Sequence, residues 1–412
     1  MRPPVCPATI ALVLGVFCAL LVPSDARGEE LVLTRERVAQ LIQAAPAARV
    51  AQFEAQVFGA AVSAAGVLST ENPVLSALGG VRFNPDGRRL LAGQANLAWP
   101  IDLGGQRGAR IDAAQAEHRA ALATMHGRQR RSLLGALLQH QLVLRDEREV
   151  AIAEARHALS ERFHAAAQRR LAAGGVPELD VALAAMQERQ DASIRSSAAG
   201  AREVDRLVLS TLLGLAPGAV VAGALVPETE PPPLAELERE IQQQAEVRAA
   251  AASLEAAQAR AARARAARFP TMNLLAQYER DDGANIGLVG LSVPLPILNA
   301  NRADVATSAA EVEAARARVA ESMAVVGGQL QQSYARYLAT KSAMEVLAPT
   351  EALATRAVSL ATRGYELGEN DLSSVLLVRR EAIEVQAALL EASHTHSAVK
   401  IELLVLAGRV PR

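Results

Sequence analysis

Few polar residues in this chain are grouped in a way that could do chemistry. His394-Thr-His396 is a histidine pair at short spacing. At i, i+2 on a helix the two side chains diverge, so a shared metal is disfavoured and a solvated pair is the simpler reading. His118, His126, His140, His157 and His164 are scattered along one stretch, with no carboxylate or thiolate cluster of metal-ligand type. Gly104-Gly105 follows a strand-like run and opens a helix-like one, but the spaced third glycine of a dinucleotide fold is missing. No phosphate loop, nucleophile elbow or zincin motif is present. The sequence therefore gives no acid, base or nucleophile constellation, no metal site and no cofactor site, and an enzyme is disfavoured. Glu178 and Asp180 follow Pro177, where carboxylates suit the positive end of a helix.

Composition narrows the class further. The chain has 412 residues and a formal charge of −1, which excludes a nucleic-acid or polybasic membrane partner. Arg2, the apolar run from Ile10 to Val22 and Ser24-Asp-Ala26 predict a secretory signal over residues 1–26. Val16 and Phe17 precede Cys18, so no lipobox is formed. Cys6 and Cys18 both lie in that segment, so the exported chain must hold together by packing or assembly rather than by disulfides.

The elements follow from periodicity. Thr34 is a plausible N-cap for a first helix that Pro46 breaks, and a second helix is expected over about 47–69. Leu75, Ala77, Gly79, Val81 and Phe83 line one face of a strand; Asn84-Pro-Asp-Gly87 is a turn; Leu91, Gly93, Ala95, Leu97 and Trp99 line the returning strand. Residues 73–100 thus form a hairpin. Helices are expected over about 104–171 and 177–214, joined by a turn at Ala172-Ala-Gly-Gly175. A proline-rich connector, 227–233, precedes a second round: a helix over 234–268, strands within 271–293, a helix over 302–362, a turn at Gly364 and Gly368, and a helix over 370–408. Pro100 and Pro294, Gly174 and Gly368, Val181 and Val375, and Gly214 and Gly408 are all 194 apart, which marks an internal duplication, 27–226 and 234–412.

A helix over 104–171 would span roughly 100 Å at 1.5 Å per residue, longer than any globular core. The two shorter helices of the repeat could stack end to end beside it. Four strands with one apolar face cannot close into a barrel alone. Three chains would supply twelve, and closure would remove every edge. Such strands suit an outer membrane, with Trp99 and Tyr278 as candidate interface aromatics.

At these residues the chain resembles the TolC-like outer-membrane factor family. Asn72-Pro73-Val-Leu-Ser76, then Pro100-Ile-Asp-Leu-Gly-Gly-Gln-Arg107 and Arg110, are similar to its CzcC-like heavy-metal efflux branch. The resemblance covers essentially the whole chain after residue 26. It implies a mainly α fold with β-hairpins: a homotrimeric α-barrel of duplicated long helical hairpins, topped by a 12-stranded transmembrane β-barrel. It implies an outer-membrane location with a large periplasmic part, a periplasmic membrane-fusion adaptor, and an inner-membrane RND-type, proton-driven pump as partners. The helical turns, with Arg170, Gly174, Gly175, Arg363, Gly364, Tyr365 and Gly368, would be the adaptor-docking tips. Glu178, Asp180, Glu369 and Asp371 would be candidates for entrance charge. Ser374 and Leu377 stand where some relatives place carboxylates. A duct-facing position for the His394–His396 pair is also consistent with this resemblance. The alternatives are a duct for type I protein secretion or organic-compound efflux and, from another class, a periplasmic coiled-coil adaptor.

Overall fold

The structure is a computed structural model, and it describes residues 31–411 apart from 84, 103, 282, 283 and 298. The expected signal segment, with both cysteines, lies outside the described residues, as does Asn84 of the predicted turn.

The chain opens with β1 (Val32–Leu33), α1 (Arg35–Leu41), a 3-10 turn at Ile42–Ala44, and α2 (Pro46–Ala65). Thr34 caps α1, its hydroxyl accepting from the Arg37 amide. Pro46 begins α2, where its missing N–H costs nothing. The hairpin β2 (Val74–Phe83) and β3 (Arg89–Ile101) leads into α3 (Gln106–Ala172), and α3 into α4 (Glu178–Leu213). After β4 (Val220–Val221), the second round gives α5 (Leu234–Arg239), a 3-10 turn at Ile241–Gln243, α6 (Ala245–Ala266), the hairpin β5 (Met272–Asp281) and β6 (Ala284–Ser292), α7 (Arg302–Leu367) and α8 (Leu372–Leu406).

α3 has 67 residues, so it is about 100 Å long at 1.5 Å per residue. α2 packs along its first half and α4 along its second, as the end-to-end stacking requires. Where α2 and α4 meet, Gly214 turns the chain with φ +70°, and Pro46 fills the space a Cβ would need. That junction is the largest core: Leu33, Val38, Ile42, Leu137, Val143, Leu209, Leu213, Val221, Ile401 and Val405. β1 pairs in parallel with β4 here, a contact that two-residue strands do not announce in sequence. Buried Arg35 bonds Gln141 Oε1 at 2.9 Å and the Ala224 carbonyl at 2.6 Å, binding this junction to α3.

The second round of elements differs from expectation in two places. The helix expected over 234–268 is two helices separated by a 3-10 turn, repeating the α1, turn, α2 order of the first half. The offset there is 199 rather than 194, as Ala45 and Gln244 close equivalent 3-10 turns. The second correction is α7, which runs past 362 to Leu367 and continues through Pro349. The two repeats are interleaved: α3 packs on α6 and α8, and β3 pairs with β5.

Candidate functional site: a membrane collar, a helical wall and its tips

The hairpins join into one antiparallel sheet, ordered β2-β3-β5-β6. Its register sorts the side chains. Leu75 faces Leu97, which faces Ala276; Val81 faces Leu91; Trp99 faces Leu274, which faces Leu291; Ala95 faces Tyr278. This face is apolar and open, with Leu91 at 80% and Val289 at 82% exposure. The opposite face carries Ser76, Gln94, Asn96, Gln277 and Glu279, with Gln94 bonded to Asn96 at 2.9 Å. Among the described residues, the edge strands β2 and β6 each pair on one side only. One face of the sheet is thus almost wholly apolar, while the other mixes these polar side chains with Leu78, Ile286 and Leu288. Among the described residues no helix is long and apolar enough to cross a membrane. Trp99 (43% exposed) and Tyr278 (50%) share the apolar face, but Tyr278 lies four residues further along the sheet, so the two mark different levels.

Below the sheet, the Pro100–Arg110 stretch is a clamp. Arg107 donates twice to the Gly66 carbonyl, at 2.9 and 3.1 Å. Arg110 donates to the carbonyls of Ala65 (3.0 Å) and Val67 (2.6 Å) and pairs with Asp102 at 3.1 Å. The two guanidinium groups thus satisfy the carbonyls left over at the C-terminus of α2, where cations are favoured. Asp102 also accepts from Thr271 at 3.2 Å, which links both hairpins to the clamp. Gly104 is needed because a Cβ there would lie 2.4 Å from the Phe269 Cβ.

At the far end, Gly174 (φ +72°) and Gly368 (φ +82°) both turn left-handed after their long helices. The amides of Gly175 and Glu369 reach back to the Arg170 and Gly364 carbonyls at 2.8 Å each, closing matched Schellman turns. Gly174, Gly175, Arg363, Gly368, Glu178 and Glu369 are exposed. Three of the expected tip residues face inward at the turns rather than outward. Gly364 is buried inside α7, not in the turn, and lets the Asn370 side chain fold back where a Cβ would meet its Nδ2 at 2.3 Å. Tyr365 is fully buried against Phe163, their ring centroids 5.9 Å apart. Arg170 lies over the Tyr365 ring at 4.7 Å and donates to its carbonyl at 3.0 Å, so this pair ties one turn to the other. Burial pushes the Tyr365 phenol up.

The acidic candidates divide as well. Asp371 is the N-cap of α8, accepting from the Ser374 amide at 3.1 Å and from Ser373 at 2.5 Å. Those bonds hold its carboxyl down to about 2, so it stays ionised. Asp180 is half-buried in the first turn of α4, and Glu178 is exposed beside it. The His394–His396 expectation of a solvated or duct-facing pair fails. His396 is buried, stacked on Tyr337 at 5.3 Å and bonded to Thr340 Oγ1 at 3.1 Å. His394 is half-buried, and burial lowers the pKa of both. Among the described residues no three His, Cys, Asp or Glu side chains are grouped to hold a metal.

Residues 237–409 match the outer membrane efflux protein family. The chain is 26% identical over 322 residues to the cobalt-zinc-cadmium resistance protein CzcC of Cupriavidus metallidurans, covering 76% of each chain. Its fold matches the outer membrane channel CmeC of Campylobacter jejuni, with TM-score 0.72 and 14% identity over 91% of this chain and 85% of that one. It also matches the outer membrane protein VceC of Vibrio cholerae, with TM-score 0.69 and 18% identity over 90% and 95%. In this shared fold the four-stranded sheet stands at one end and the long helices run away from it.

Sequence reasoning missed the buried charges that hold the wall together. Asp191 on α4, with no side-chain exposure, binds Arg156 on α3 at 3.2 Å and also Arg379 on α8. Lys400 on α8 reaches Glu230 of the proline-rich connector at 2.8 Å, and Tyr337 on α7 bonds the same carboxylate. Asp146 on α3 faces Asp205 on α4, and burial with that facing carboxyl raises its pKa to about 7. Each is a lone charge in sequence, and only helix packing supplies its partner.

Proposed function

We propose that this protein is the outer-membrane channel of a tripartite pump that exports divalent metal cations. It assembles as a homotrimer, so that three sheets close a twelve-stranded barrel and the helical hairpins form one duct. A periplasmic membrane-fusion adaptor meets the exposed parts of the tips, at Gly174, Gly175, Arg363 and Gly368. An inner-membrane, proton-driven RND-type transporter supplies the energy, since the duct carries no motif for doing so. The identity to a cobalt-zinc-cadmium resistance protein across three quarters of both chains carries the metal assignment. The open edges of β2 and β6 support the trimer. Deletion should sensitise cells to zinc, cobalt or cadmium; sensitivity to dyes or antibiotics alone would overturn the metal assignment and leave the channel fold standing.

A further inference from the structure

Away from the collar and the tips, a cavity of about 300 Å³ opens between α3, α7 and α8. The charged side chains lining it are Arg148, Arg156, Arg379 and Glu351. Arg148 and Glu351 face each other across its mouth at 3.6 Å, both well exposed. Arg156 and Arg379 share the single carboxylate of Asp191, which Ser160 and Gln187 also engage. Two guanidinium groups on one carboxylate leave a positive charge uncompensated. Arg379 is only 4% exposed, and its Nε and Nη1 are buried without an acceptor, as is Nε of Arg156. Buried donors of this kind cost free energy until an acceptor meets them. Ile152, Leu159, Val358 and Ile383 supply apolar wall around them.

We propose that this cavity binds a small amphiphilic carboxylate, its headgroup on Arg379 and Arg156 and its hydrocarbon chain against Ile152, Val358 and Ile383. Guanidinium groups favour carboxylates through charge-assisted hydrogen bonds, and apolar walls select a ligand with a tail over a bare ion. A bound molecule would touch α3 of the first repeat and α7 and α8 of the second, so occupancy ties the two hairpins together above the tips.

The test is calorimetric titration of the detergent-solubilised full chain with octanoate, octanol and acetate at low salt. Octanoate should bind at one site per chain with a Kd below about 1 mM, and octanol and acetate at least tenfold more weakly. Ala155 lines the cavity from an exposed position on α3, so Ala155→Leu fills it without touching the ion pairs. It should weaken octanoate at least tenfold, and so should Arg379→Gln. If Arg379→Gln fails to fold, the Ala155→Leu result decides. Octanol binding as well as octanoate, acetate or chloride binding as well as octanoate, no octanoate binding, or binding indifferent to Ala155→Leu would each overturn the proposal.

Discussion

Arg110→Ala should be the most damaging single change in the collar. In the folded chain Arg110 closes the Ala65 and Val67 carbonyls at the end of α2 and neutralises Asp102, whose side chain is 4% exposed. Hydrogen bonds from a charged donor contribute about 1.5–3 kcal/mol each. Removing one partner of a desolvated ion pair typically costs about 3–5 kcal/mol, because the other charge stays buried. These losses overlap, since Thr271 still donates to Asp102, so a total of roughly 3–5 kcal/mol is expected. Arg107 donates two bonds to one exposed carbonyl, so Arg107→Ala should cost only about 1 kcal/mol. Arg110→Lys keeps the charge but cannot span three acceptors, and should fall between the two. Trp99, the single tryptophan, stands three residues before Asp102, so its fluorescence in a urea titration reports on this region. An Arg110→Ala midpoint equal to that of Arg107→Ala would refute the clamp. So would a double-mutant cycle with Asp102→Asn that gave no coupling.

Replacing both Gly174 and Gly368 with valine strains two left-handed turns, by about 1 kcal/mol or more each. Metal export should fall while crosslinked trimer persists; normal export would argue against adaptor docking at the tips. Asp146 holds its proton to about pH 7, well above an unfolded aspartate, so the folded chain binds an extra proton between about pH 4 and 7. Its contribution therefore falls as pH rises through that window, with Arg145 opposing the shift and Asp205 and Glu149 adding to it. Asp146→Asn should gain thermal stability relative to the native chain at pH 8 and little at pH 4; the reverse order would exclude the raised Asp146 carboxyl. Asp371→Asn should lower thermal stability slightly through loss of the α8 cap. Asp180→Asn should reduce the cation preference of the trimer in a planar bilayer, and unchanged selectivity would leave Asp180 with only its helix-end role.

What the sequence alone determined is whatever depends on local spacing. Alternation and turn residues marked both hairpins, glycine and proline marked several helix ends, and one numerical offset pointed to a duplication. The Pro100–Arg110 stretch was recognisable as a motif, but its work was not: Arg110 reaches back 45 residues to Ala65. Helix ends near Gly364 were misplaced because that glycine serves a close approach by Asn370, not a turn. The histidine pair looked solvated because helical spacing says which way side chains diverge and not what packs against each. Only the tertiary structure decided which charges are buried. Asp191, Arg156 and Arg379 come from three helices whose relative rotation depends on how alanine-rich faces pack over about 100 Å, and no local periodicity encodes that rotation.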